Sequence, residues 1–455
     1  MIFKRQSELK ALEKLYIAPT NDTVVFYGNK ENNIHEIIME FLKDKEFFYY
    51  CANICSDEKQ VLLFKNSINE QLTNSQVSLT SYDSVIKAMM EEKCEKRVIV
   101  IEEFQNIIKN SNELLSEIIN CCSDKWGNQQ VLFILVSSNE FFVENHLIEK
   151  IGDLSYKLSG LIKVNNIGFI DIMHYFDEYS IEDAINVYSI TGGKSNIVSH
   201  FDKTISFKDN IINNLLSDDS YLYNKIYNIL PEELRELNVY NTILLTIASG
   251  CEKLNEIHNA TGYSRPKISV YLKNLADYNI IEKIDSFGIL GKDNALKGIY
   301  RIRDRFILFL YKFIIPNISN LKITEPDVFY SKYIEDNIRE FSSEGFRMVC
   351  FEYLNLLNKF GKLPVKFTKT GTWLGKIGNI HIICQDEDEN TIIGYCNYEK
   401  DEMSFEDFEW LVFCVKQAKL SGDYFYLFSK VSFDEELKKY ASENTNVFLI
   451  DSSVL

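Results

Sequence analysis

Proline and glycine are scarce in these 455 residues, at 6 and 19. That scarcity excludes a collagen-like repeat, a Pro/Gly-rich polymer and wholesale disorder. Also missing is any apolar run of the roughly 18 residues that a membrane span needs. The start, Met1-Ile2-Phe3-Lys4-Arg5, leads into a charged helical pattern instead of a secretory apolar segment. A cytoplasmic protein with no membrane partner is expected. Positive charge is in deficit: 49 Lys and Arg stand against 66 Asp and Glu, a net −17. Contact with nucleic acid must therefore be a local patch on a chain that repels phosphate overall. The ten cysteines, at 51, 55, 94, 121, 122, 251, 350, 384, 396 and 414, form no pair of C-x-x-C knuckles and no His/Cys array. No metal is expected from them, and most sit in apolar runs where a free thiol packs as a small hydrophobe.

What is present is apolar material for several cores. Hydrophobic residues make up 46% and charged residues 25%, and such a length divides into roughly three or four units. Short strands apolar on both faces, at 23–27, 47–51, 97–101 and 131–136, alternate with helical spacing at 34–42, 61–72, 82–93 and 112–124. That pattern predicts a doubly wound parallel sheet covered by helices on both sides. From about 168 to 237 only helical patterns persist, at 170–176, 181–191 and 221–228. Residues 240–305 then read as three short helices, a hairpin around Gly288 and Gly291 and a strand at 297–302, which is a winged-helix order. A helix at 333–360 and strands near 364–367, 377–384, 391–398 and 424–429 make the last third mixed α/β. The expected fold is a multidomain α/β chain: a P-loop NTPase-like core at 1–165, a helical lid at 166–238, a winged helix at 239–312 and a further α/β domain at 313–455.

The strand ending at Gly28 and the helix opening at Ile34 bracket the place of a phosphate-binding loop. Such a loop needs a second Gly for close backbone approach, a Lys for the β/γ-phosphates and a Ser or Thr for magnesium. Counting from Gly28, those places hold Asn33, Ile34 and His35. A β-branched apolar side chain cannot neutralise a triphosphate, and an imidazole poorly replaces a hydroxyl on a hard cation. Lys30 is the one nearby cation that can lean toward a phosphate, and its plainer reading is a solvated loop lysine. Glu102 and Glu103 follow the strand at 97–101, at the carboxyl end where open α/β sheets place ligands. In a working ATPase the first acid holds Mg and the second orients water. Ser137 and Ser138 end the next strand, where a γ-phosphate sensor would stand; turn residues at a strand end are the preferred reading.

Taken in order, these features resemble the archaeal-type ATPases of the STAND/AAA+ group, which carry a winged helix and a C-terminal restriction-endonuclease-like domain. The matching residues run from Phe3-Lys4-Arg5-Gln6-Ser7-Glu8-Leu9 through Tyr27-Gly28, Ile101 to Gln105, Ser137-Ser138 and Gly192-Gly193 to Tyr300-Arg301-Ile302-Arg303-Asp304, Phe306 and Gly371-Thr372-Trp373-Leu374-Gly375-Lys376. The resemblance implies ATP and Mg at the loop after Gly28, and the sequence departs from it at the Gly, Lys and Thr.

The winged-helix segment holds a helix-turn-helix pattern: Thr261-Gly262-Tyr263-Ser264 makes the turn, and Ile268, Leu272 and Leu275 recur at helical spacing in the second helix. Ser264 is placed to cap that helix. Arg265, Lys267, Ser269 and Lys273 fall on its outer side, with Asn274 beside them, where a recognition helix meets the major groove of duplex DNA. Across 251–305 ten basic residues face seven acidic ones, a local excess of three in an acidic chain. The plainer role for this segment is packing or oligomerisation.

A restriction-endonuclease-like site needs carboxylates and a lysine on adjacent strands to hold magnesium beside an activated water. By the resemblance those positions are Asn379, His381, Tyr395 and Asn397, with Arg347 on the helix. Neither the metal charge nor the general base survives, so phosphodiester hydrolysis is not expected. His381 with Glu399 could in principle take a softer metal, though a lone strand histidine is more often packed. The aromatics Trp373, Tyr395, Tyr398 and Trp410 read as core before they read as a binding surface. The leading expectation is a DNA-binding regulatory or scaffold protein with impaired nucleotide and nuclease sites. The enzymatic alternative is an ATPase in which Lys30, Glu102 and Glu103 retain a nucleotide switch; a third reading makes the nuclease fold a platform for a protein partner or a homo-oligomer.

Overall fold

A computed structural model describes residues 5–72, 81–92, 94–123, 129–231, 234–288 and 298–455. Phe3, Lys4, Gly291, Lys292, Asp293 and Lys297 lie outside the described residues. The chain forms two compact units, 1–167 with 194–196, and 168–193 with 197–455. Among the described residues no helix is long and apolar enough to cross a membrane.

In the first unit the chain runs through α1 (Gln6–Ile17), β1 (Asp22–Gly28), α2 (Ile34–Leu42), β2 (Phe47–Cys51), α3 (Asp57–Gln71), α4 (Tyr82–Glu91), β3 (Lys96–Glu102), a helix at Glu113–Ser123, β4 (Gln130–Ser137) and β5 (Gly160–Val164). The strands pair in parallel in the order β2-β3-β4-β1-β5. Because side chains alternate across a strand, Val24, Phe26, Val98, Val100 and Ile134 enter one core with Ile34, Ile37 and Phe41 of α2. Val25, Ile99, Ile101 and Phe133 enter the other, with Phe64 of α3, Met89 of α4 and Ile118. This is the doubly wound sheet the uninterrupted apolar strands predict. Strand β5 carries no such signal: it is an edge strand, half-exposed along most of its length, and needs no continuous apolar run.

The second unit contains the helices Ile181–Thr191, Leu237–Ala248, Leu254–Thr261 and Arg265–Asp277, followed by the antiparallel pair β6 (Ile281–Ile284) and β7 (Ile299–Ile302), with Ile281 opposite Ile302. Ile243, Ile257, Ile268, Leu272, Leu275 and Ile302 share one core there. A second sheet is built from β8 (Lys369–Leu374), β9 (Asn379–Gln385), β10 (Thr391–Asn397), β12 (Tyr424–Ser429) and β14 (Val447–Asp451), with a small pair, β11 (Glu402–Met403) and β13 (Ser432–Phe433). Its order is β14-β12-β10-β9-β8, antiparallel across β8, β9 and β10 and parallel across β10, β12 and β14.

Two boundaries differ from expectation. The helix expected at 333–360 begins only at Ile338, after a separate helix Pro326–Tyr333, and the strand expected near 364–367 is irregular. The neighbouring strand β8 is instead Lys-Thr-Gly-Thr-Trp-Leu, too polar to stand out by hydropathy and shifted in register between Gly371 and Trp373.

Candidate functional site

The order of the first sheet brings the carboxyl ends of β1, β4 and β3 side by side, which is the crevice where such sheets bind ligands. There the loop after Gly28 closes into a single 3-10 turn, Lys30–Asn32, before α2 begins. Asn33 occupies the left-handed region at φ 52°, ψ 43°. Asn is one of the few side chains that accept this conformation routinely, so it serves the backbone role of a second loop glycine. Gly28 is held tight against β5: a Cβ there would lie 2.6 Å from the carbonyl oxygen of Val164.

Several side chains in and around the loop are committed within the unit. Ile34, at the lysine position, is buried in the core with Val24 and Phe26. His35 extends across the crevice, its Nδ1 3.2 Å from Glu102 Oε2 and 3.2 Å from the Tyr49 hydroxyl. The helix start after Gly28 and the acid that ends β3 thus touch each other directly. Burial pushes the Glu102 carboxyl above its ordinary range, and the contact with His35 opposes that shift. Buried Asn32 donates to the Val164 carbonyl and to Asn166 Oδ1 at 3.1 and 3.0 Å. Glu31 accepts from Asn196 Nδ2 at 2.9 Å. Arg5 donates to the Asn165 carbonyl at 2.6 Å and ion-pairs with Glu8. Lys30 is exposed. Glu103 turns at φ 53° and accepts from Gln105. Ser137 is buried and accepts from the Asn139 amide at 3.1 Å, the strand-end turn role.

The second candidate surface is the helix Arg265–Asp277. Ile268, Leu272 and Leu275 are buried, and Arg265, Lys267, Ser269 and Lys273 are exposed. Arg265 Nε donates to Asn255 Oδ1 at 2.9 Å, which fixes the guanidinium at the helix start. The Lys267 ammonium lies 5.0 and 5.6 Å from the ring centres of Tyr263 and Tyr271. Asn274 is half-buried and donates to the Tyr240 hydroxyl at 2.8 Å, so it is tied to a neighbouring helix. Ser264 precedes the helix without a side-chain capping bond; Pro266 in the first turn sets the start instead. Val270, 58% exposed among these polar residues, was not singled out from the sequence. Its signal is its position three residues beyond Lys267 on the same face.

The local basic excess is not uniformly outward. Arg305 is buried, donating to the carbonyls of Ser189 and Phe341 at 2.9 and 3.0 Å, and burial lowers its pKa to about 10. Arg301 pairs with Glu252 at 2.8 Å and with Glu344 at 3.6 Å. Both are absorbed by the fold, so the charge count overstates what is free to meet phosphate.

At the positions that the resemblance assigned to a nuclease site, Arg347 pairs with Glu344 at 2.7 Å. The His381 ring stacks on Tyr395 with centroids 4.7 Å apart, and its Nδ1 accepts from the Cys396 amide at 3.1 Å. Burial, reinforced by Arg347, lowers the His381 pKa to about 3. Asn379 and Glu399 are exposed, whereas buried Asn397 closes a turn with Lys400. Among the described residues no group of three or more His, Cys, Asp or Glu side chains is placed to hold a metal.

Residues 310–408 match a family model described as Archaea bacterial proteins of unknown function, DUF234. Over 390 residues the chain is 25% identical to uncharacterized protein MJECL04 of Methanocaldococcus jannaschii, covering 86% of this chain and 85% of that one. Among solved structures it is similar to the Walker-type ATPase PABY2304 of Pyrococcus abyssi (16% identity, TM-score 0.48, 68% of this chain and 96% of that one). It is also similar to the ORC2 protein of Aeropyrum pernix (11% identity, TM-score 0.43, 70% and 95%).

Proposed function

We propose that this protein binds duplex DNA through the helix Arg265–Asp277, presented by a winged helix, and acts as a regulatory or scaffold protein without turning over nucleotide. The observation that carries the DNA reading is the exposure of Arg265, Lys267, Ser269 and Lys273 on a helix whose apolar positions Ile268, Leu272 and Leu275 are committed to a core. Val270 adds an apolar contact of the kind that meets a thymine methyl in the major groove.

The nucleotide side of the proposal rests on the crevice residues. Buried Ile34 offers no charge to a phosphate, and the His35–Glu102 contact spends the acid that would hold Mg. These residues do not fit a magnesium–triphosphate, and no hydrolytic step is assigned to Glu102 or Glu103.

Titration of the full chain onto a fluorescent duplex across salt concentrations tests the reading. Affinity is expected to fall with salt, and Arg265→Ala and Lys267→Ala should each flatten the log–log slope by about one unit. Repeating the titration with millimolar ATP and Mg should leave affinity and melting temperature unchanged, since a tight ligand of the folded state would raise the latter. A salt-independent parent would sink the DNA reading; an ATP-dependent melting shift would sink the nucleotide one.

A further inference from the structure

The helix Phe405–Ala418 packs Phe408, Leu411, Cys414 and Val415 into the core of the second sheet. Its opposite face carries Glu406, Trp410, Phe413 and Gln417, all exposed. The spacing of four, three and four residues makes one straight seam along an α-helix. Trp410 and Phe413, 42% and 38% exposed, stack on each other with centroids 5.4 Å apart. The turn between β8 and β9 extends the apolar area: Gly378 lies against the Trp410 ring, and the adjacent Ile377 is 67% exposed. Two large stacked rings beside an exposed isoleucine are an unusual solvent face and mark an interaction surface.

The charges select what covers it. Glu409 and Lys416 flank the seam on one side, seven residues apart, and both are exposed. Among the described residues neither has an ion-pair partner within the chain. In an antiparallel pairing of two such helices about a two-fold axis between Trp410 and Phe413, residues flanking the seam on the same side face one another. Glu409 of each copy then meets Lys416 of the other, Trp410 packs by Phe413, and Glu406 meets Gln417. A parallel pairing would set Glu406 against Glu406 and leave Glu409 facing the position of buried Cys414. The antiparallel arrangement also opposes the two helix dipoles favourably.

We infer that this face is a self-complementary interface that joins two copies of the chain through antiparallel Phe405–Ala418 helices. One helix seam is a small contact, so the dimer is a weak one, of micromolar affinity by the standards of interface area.

Sedimentation velocity on the full chain, from about 1 to about 200 µM, tests this. The parent is expected to shift from monomer to dimer across that range. Trp410→Ala should leave it monomeric. Glu409→Lys and Lys416→Glu, each of which sets like charges opposite one another, should weaken the dimer by about tenfold or more. The double variant, Glu409→Lys with Lys416→Glu, should restore it, because the swapped pair is again complementary. All of these positions are exposed, and the melting temperature of each variant should match the parent. A chain monomeric throughout would overturn the inference, as would a dimer indifferent to Trp410→Ala or a double variant no tighter than the singles.

Discussion

At the scale of single residues, the loop after Gly28 separates backbone shape from side-chain chemistry. Asn33 at φ 52° keeps the left-handed step that a glycine would supply, while Ile34 and His35 are directed elsewhere, one into the core and the other onto Glu102. A lysine placed at position 34 is therefore not expected to create a phosphate site. Ile34→Lys replaces an apolar side chain in an apolar cluster with an ammonium. It is expected to lower stability by about 2–4 kcal/mol, measured by urea denaturation, without raising the melting temperature when ATP and Mg are added. A variant as stable as the parent would mean that the side chain can swing outward. The sequence already identified the residues at these positions. It could not tell that His35 and Glu102 meet, because 67 residues separate them and only the order of the sheet brings them together.

Among elements, close helix crossings and shared carboxylates decide how the second unit holds together. Gly345 in the helix Ile338–Lys359 faces Ser189 of Ile181–Thr191 so closely that a Cβ would collide with the Ser189 hydroxyl. Ser189 Oγ is itself bonded to the Ile185 carbonyl at 2.6 Å and has little freedom to move. Gly345→Ala is therefore expected to cost about 1–3 kcal/mol, even though alanine favours a helix, and a thermal melt would show it as a fall in Tm. An unchanged Tm would mean that the two helices can part at no cost. Glu352 reinforces the same bundle, accepting from the Phe169 amide at 2.9 Å and from the Tyr188 hydroxyl. Burial raises its pKa, and those two donors oppose the shift. Helix existence was readable from spacing at 181–191. The Gly–Ser contact was not, since a glycine in a helix looks the same from sequence whether it is tolerated or required.

On the scale of the whole second unit, the β6–β7 hairpin is sewn to the C-terminal sheet. The Phe287 amide donates to the Thr372 carbonyl at 2.9 Å, the Leu374 amide donates to Ser286 Oγ at 2.9 Å, and Arg301 of β7 reaches Glu344. Burial would push the Glu344 carboxyl up, but Arg347, Arg301 and Arg305 together hold it below the usual range. His381 lies in this cluster as a neutral ring with a pKa of about 3. A histidine whose pKa is depressed on folding binds its proton more readily in the unfolded chain, so stability rises with pH between the folded and unfolded values. Between about pH 6.5 and 5, where unperturbed carboxylates are still mostly ionised, the protein is expected to lose stability as acid is added. His381→Gln, which keeps an acceptor for the Cys396 amide, should reduce that loss, as read from denaturation midpoints at the two pH values. An equal loss in both proteins would assign the dependence to other groups.

The sequence by itself determined the parallel sheet and the residues of the loop after Gly28, because both depend on local pattern: apolar runs, helical spacing and residue identity at fixed offsets. It also separated Arg265, Lys267, Ser269 and Lys273 from the apolar positions Ile268, Leu272 and Leu275, since those recur with 3.6-residue periodicity. Only the tertiary structure decided that Arg301 is paired with Glu252 and Glu344 and Arg305 is internal, that Asn274 is tied to Tyr240, and that Trp410 and Phe413 remain outside a core that takes most of the other aromatics. Those outcomes depend on which surfaces meet across long sequence separations, and the pairing of surfaces is a property of the packed chain, not of any window along it.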